Sequence, residues 1–268
     1  MVTLVIMAVL LFVVFSALRH SQQQSVRVMS IADERQMART AIQLIERETR
    51  MAGSGWGRDT VQAGYSGASW SFYAINPGYG GVASNDSVNI VGAWQASTYL
   101  TDSMSTSSDP IKVADVTGFA SGDFIIVTNP TSSHLFQVTG IQNVPPALLH
   151  ANTSPYNTGQ AQWPLGGGYK ANTTNVYKVT IATYRFDAAS YRRPALIRTE
   201  LGKTPQVVAY NVNGFHVWYE LQDGTWTRNP VTLTFVNKVI PVVLTQVTDP
   251  RLPTLRDSVW AEIRPRTF

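Results

Sequence analysis

With 268 residues, 44% of them apolar, the chain is long enough to bury a packed core, which excludes a wholly disordered protein. It contains no cysteine, so a disulfide framework, a thiolate metal site and a cysteine nucleophile are excluded. The net charge of +4 is spread along the chain, with Arg192-Arg193 its densest pairing, which argues against nucleic acid as the main partner.

Met1 to Leu18 carry no ionisable side chain, and only Thr3 and Ser16 interrupt a run that includes Leu4, Val5, Ile6, Leu10, Leu11, Phe12 and Phe15. As a helix this run spans about 27 Å, close to the roughly 30 Å hydrocarbon core of a bilayer, and it reads as a single-pass membrane segment. A cleaved secretory signal would need a basic region before the run and a small-residue site after it, and neither is present. The segment that follows, Arg19-His20-Ser21-Gln22-Gln23-Gln24, is polar, and no Gly or Pro occurs before Gly53, so one helix of about 78 Å is expected over residues 1–52. In its second half Ile31, Ala38, Ile42 and Ile45, flanked by Met37, Ala41 and Leu44, draw one apolar stripe for packing on the rest of the chain. Glu46 and Arg50 stand four apart on the polar side. A plain signal anchor with a helical stalk is the rival reading. Arg19, Arg27, Arg35 and Arg39 all follow the apolar run and no basic residue precedes it, an arrangement accounted for if a basic leader is removed and Met1 begins the processed protein.

From residue 53 to 268 a β-rich domain facing the periplasm or the outside is expected. Only 14% of the chain is charged, against roughly 25% for an average domain, while Gly, Ser, Thr and Asn abound. Strand candidates are Ser87 to Gly92, Phe124 to Thr128, Leu135 to Gly140, Val176 to Phe186, Gln206 to Tyr210, Phe215 to Leu221, Val231 to Thr234, Val239 to Val247 and Ser258 to Arg264. Asn213-Gly214 and Asp223-Gly224 are turn signals. Two stretches of low charge, about residues 64–85 and 143–170, read as surface loop insertions. Their aromatics Tyr65, Trp70, Phe72, Tyr73, Tyr79, Tyr156, Trp163 and Tyr169 fit either a binding surface or, more often for such residues, core and inter-subunit packing.

No catalytic, cofactor or metal site is expected. His20, His134, His150 and His216 occur singly, and His216 with Glu220 lies on a strand whose spacing separates the pair. Neither Met51 to Gly55 nor Tyr65 to Ser69 has the pattern of a nucleophile elbow, and Gly166-Gly167-Gly168 lacks the Lys-Ser or Lys-Thr of a phosphate loop.

An apolar N-terminal helix, an amphipathic continuation ending Ile45-Glu46-Arg47-Glu48-Thr49-Arg50-Met51-Ala52-Gly53, and a Gly-rich β-domain together resemble type IV pilins and pseudopilins, most closely the PilW-like minor pilins. Gly118 to Val127 followed by Leu135 to Gly140, Ala195 to Glu200 continuing to Tyr219, and Glu262 to Arg266 extend the resemblance over most of the chain. It implies an α+β pilin-like fold, with the long helix packed on a C-terminal antiparallel sheet. It also implies a processed, methylated Met1, other pilins or pseudopilins as partners through a helix bundle, and a prepilin peptidase and assembly platform. The expected location is the inner membrane before assembly and a periplasmic or cell-surface filament afterwards. One departure matters: such pilins carry Glu at the fifth processed position, where this chain has Val5 and no acid before Asp33. A subunit without that Glu does not neutralise a neighbour's buried amine, which points to a minor subunit that initiates or caps a filament. The alternatives are a pilus-associated adhesin and a large major subunit.

Overall fold

The structure, a computed structural model, describes residues 2–55, 60–93, 95–159, 163–164, 167–230, 236–247 and 255–265. The side chains of residues 2–6, 8–10, 27, 246–247 and 255–256 lie outside that description, and so do the strand candidate at 231–234 and Met1.

Helix α1 (Val2–Met51) runs unbroken for 50 residues, about 75 Å. It stops at Gly53, whose φ of 71° is the left-handed turn that favours glycine after a helix. Gly53 N then donates to Val91 O at 2.9 Å, which fixes the helix end to the sheet.

The expected α+β pilin-like fold, one helix on one antiparallel sheet, is corrected by the body that follows. It is large and mostly β, with described strands forming sheets of ten, three and four members. In chain order these are β1 (Thr60–Tyr65), β2 (Ala68–Tyr73), β3 (Ile75–Gly78), β4 (Ser87–Gly92), β5 (Ser97–Tyr99), β6 (Ile111–Lys112), β7 (Phe124–Asn129), β8 (Ser132–Gln137) and β9 (Gly140–Asn143). They continue as β10 (Pro146–Leu149), β11 (Asn175–Asp187), β12 (Ala195–Glu200), β13 (Gln206–Tyr210), β14 (Val212–Leu221), β15 (Trp226–Thr227), β16 (Val236–Val247) and β17 (Leu255–Trp260). Nor is the pairing wholly antiparallel, because β1 meets β8 in parallel at Gln62 and His134.

The two stretches expected as loops contribute to this. Residues 60–78 form the β1–β2 hairpin and β3, and 143–157 include β10 and a 3-10 turn at Pro155–Asn157. Their Ser, Asn and Gly content disguises them, because the polar positions face water. In β1 the pattern still alternates, with Val61 and Ala63 buried.

Strand β11 organises the body. Its first half pairs with β5 and β7, and its second half with β4 and β12. Around the second half lies the core that receives the helix: Ala38, Ala41, Ile42 and Ile45 pack with Val88, Ile90, Tyr184, Leu196, Phe215, Tyr219 and Val243. Around the first half a separate core gathers Leu100, Met104, Ile111, Ile125, Phe136, Leu148 and Tyr169. Gly168 belongs to this second core and is not a loose tether. A Cβ there would lie 2.0 Å from Met104 O, and φ is 78°, so only glycine fits where Trp163 and Tyr169 stack edge-on at 5.2 Å.

Candidate functional site: the projecting helix and its root

Among the described side chains of α1 Glu34 is the first buried one, and residues 11–26 and 28–30 before it are all exposed. Residues 11–30 therefore stand clear of the body for about 30 Å. Leu11, Phe12 and Phe15 are 61%, 75% and 73% exposed, an apolar surface far larger than a lone helix presents to water without a partner. Val26, Val28 and Met29 continue it toward the body. Leu4, Val5, Ile6 and Leu10 lie on the same helix with side chains outside the described set. Among the described residues no helix is long and apolar enough to cross a membrane, so the expected single-pass inner-membrane anchor gains no support there.

The helix root is held by charge as well as by the apolar stripe. Ala38, Ile42 and Ile45 are buried and Ile31 is partly so. One turn further on, Glu48 accepts hydrogen bonds from Tyr184 Oη at 2.7 Å and from Arg198 Nη2 at 2.7 Å. Arg198 also reaches Glu200 at 2.7 Å, and Lys203 pairs with Glu200, so an ion network ties the helix to β12. Burial, then the Glu48 charge, pushes the Tyr184 phenol far above its ordinary range, so it stays a donor. Arg35 meets Asp257 at 2.6 Å near the point where the helix leaves the body.

Glu34 is the weak point of this root. It is 5% exposed, its Oε1 accepts from Asn211 Nδ2 at 2.9 Å, and its Oε2 has no partner. Desolvation raises its pKa from 4.5, opposed by the Asn211 hydrogen bond and by Arg193. Between 4.5 and the raised value the folded chain binds more protons than the unfolded one, so this group's contribution to stability falls as pH rises through that window. Glu34→Gln keeps an acceptor for Asn211 and removes the charge. Thermal melts should show the variant at least as stable as the parent at pH 7, with the advantage fading by pH 4. A variant destabilised more at pH 7 than at pH 4 would contradict this.

The body has a second charge cluster. Asp86, 3% exposed, accepts from Arg228 Nε and Nη2 at 2.8 and 2.9 Å and from Val217 N at 3.0 Å, which sews β14 to the start of β4. Sequence reasoning missed both clusters, because their members are 150 and 142 residues apart and a lone Glu on a helix or Asp before a strand gives no local signal.

The eight aromatics of the expected loops do not make one surface. Tyr169 and Phe72 are buried, and Tyr156 packs on Phe124 and Tyr65 at 4.9 and 5.0 Å. Tyr65, Trp70 and Tyr79 remain exposed. Two of the histidines sit in separate contacts: His134 Nδ1 meets Tyr169 Oη at 2.7 Å in the second core, and His150 Nε2 donates to Ser107 O at 2.9 Å. Among the described residues no group of three or more His, Asp or Glu converges in a way that could hold a metal. Comparison with protein-family models, with curated proteins and with solved structures finds no match.

Proposed function

We propose that this chain is a structural subunit of a type IV pilus or a type II secretion pseudopilus, a minor subunit that initiates or caps the filament, and that it is not an enzyme. The single observation that carries the reading is the helix, whose exposed apolar residues Leu11 to Leu18 have no partner in the described chain although its root is firmly clamped. A rigid rod held at one end and unsatisfied at the other is suited to a bundle of like helices. The β body is not the basis of the reading.

Before assembly the apolar run up to Leu18 lies in the inner membrane, and afterwards it lies among other pilin helices. Because lipid is as apolar as Leu, transfer between the two is driven by packing and by an external platform and not by hydrophobicity alone. The helix has no acid before Asp33 to supply a carboxylate for a neighbour's amine, which favours a position at the filament end over one in the shaft.

Deleting the chain and shearing surface filaments from the deletion strain tests the reading. Filament yield should fall severalfold or to nothing, and in the parent strain quantitative mass spectrometry should find the chain in trace amounts relative to a main subunit. Normal yield in the deletion strain would overturn the initiating role, and a chain that dominates the filament mass would assign it to the shaft.

A further inference from the structure

Strands β15, β14, β16 and β17 form a sheet whose inner side, with Phe215, Val217, Tyr219, Val239 and Val243, packs toward α1. Its outer side is open, and three of the chain's seven tryptophans stand on it: Trp218, Trp226 and Trp260, 41%, 43% and 60% exposed. Their positions follow from register. Trp226 pairs with Glu220, Trp218 with Ile240 and Trp260 with Val242, so all three point to the same side along one diagonal of the sheet. At about 4.8 Å between strands and 3.4 Å per residue, Trp226 and Trp218 are roughly 8 Å apart and Trp218 and Trp260 roughly 12 Å apart. Half-buried Ile240 and Val242 fill the ground between them.

Among the described side chains of this face the charges cancel. Lys238 sits between Glu220 at 2.8 Å and Glu262 at 3.0 Å, and exposed Arg264 lies at the next outward position of the same edge. Burial, then Arg228, holds the His216 imidazole below its ordinary pKa, so it adds no charge at neutral pH. A membrane headgroup or an acidic partner would call for uncompensated cations, and a partner helix would call for a groove. The described side chains of this face carry no net charge, and its rings are flanked by fixed hydrogen-bonding groups.

We infer that the outer face of this sheet binds a neutral, extended polysaccharide, with Trp226, Trp218 and Trp260 stacking on the apolar faces of non-adjacent sugar rings spaced along it. A pyranose presents C–H groups on its faces and hydroxyls around its rim. Stacked on an indole, it buries the former and turns the latter toward Glu220, Lys238 and Glu262. Binding of this kind suits a surface-exposed protein in contact with a polymer matrix, but it requires only the folded chain and does not rest on the assembly reading.

The test uses the full chain in a polyoxyethylene detergent, whose headgroup is not a sugar, sedimented with microcrystalline cellulose and with chitin. The parent chain should be depleted from the supernatant by at least one of the two polymers. W218A/W260A should bind at least about tenfold more weakly, W218F/W260F should keep part of the binding through its ring faces, and W70A, on the β2 edge, should bind like the parent. Urea midpoints of the variants report whether the fold survives. A parent chain left in the supernatant by both polymers would overturn the proposal, as would equal pelleting of the parent and the folded W218F/W260F and W218A/W260A variants. A parent dimer that W218A/W260A converts to monomer, with no polymer binding, would assign the face to a second copy and overturn it too.

Discussion

Replacing Glu48 by Ala should destabilise the folded chain by about 3–5 kcal/mol, the range found when one partner of a buried ion pair is removed. Glu48 has a side chain only 4% exposed and Arg198 one 11% exposed, so neither is rescued by water when the other is lost. The truncation strands the Tyr184 hydroxyl as well, since Glu48 is its hydrogen-bond acceptor in a fully buried site. Glu48→Gln retains the shape and one acceptor oxygen but leaves Glu200, shared with Lys203, as the remaining carboxylate on Arg198, so an intermediate loss is expected. Urea unfolding of parent and variants at pH 7 and fixed detergent gives the comparison. A loss under about 1 kcal/mol for the alanine variant would mean that the apolar stripe of Ala38, Ile42 and Ile45 alone holds the helix.

The second large effect concerns assembly and should leave stability untouched. Phe12→Asp with Phe15→Asp places two charges on the projecting helix, where both side chains are exposed and touch nothing in the body. In a bilayer each charge costs about 2.5–3.5 kcal/mol, so the pair, at about 5–7 kcal/mol, predicts roughly a 10⁴- to 10⁵-fold loss of incorporation into filaments. The melting temperature of the purified variant should match that of the parent. Normal incorporation would show that this face is not the assembly surface, and a lowered melting temperature would show that the helix contacts its own body.

The helix was legible in the sequence because its evidence is local. The absence of Gly and Pro up to Gly53 gives its length, and the spacing of Ala38, Ile42 and Ile45 gives the face that the body covers. Strands β4 and β13 were legible for the same reason, with β-branched runs bounded by turn residues. The architecture of the body was not. Strands such as β1 and β2 carry Gln and Ser at their outward positions, and the buried Val61, Ala63 and Phe72 are too few to mark a strand without their partners. Which halves of β11 pair with which neighbours depends on contacts made at long sequence separation, and the parallel pairing of β1 with β8 has no sequence signature at all. The tryptophan face shows the intermediate case. Alternation in Phe215 to Glu220 places Trp218 opposite the buried set, but the alignment of Trp226 and Trp260 with it appears only once β14, β16 and β17 are in register.

In the proposed filament the exposed part of α1 is covered by other subunits. Since the chain has no cysteine, a single Val26→Cys, 68% exposed on the projecting helix, can carry a benzophenone maleimide without background labelling. Val82→Cys, 88% exposed on the body, serves as the control. Illumination of assembled filaments should cross-link the Val26 position to another filament subunit and leave the Val82 position largely free. A Val26 probe that captures no protein in assembled filaments would contradict the account.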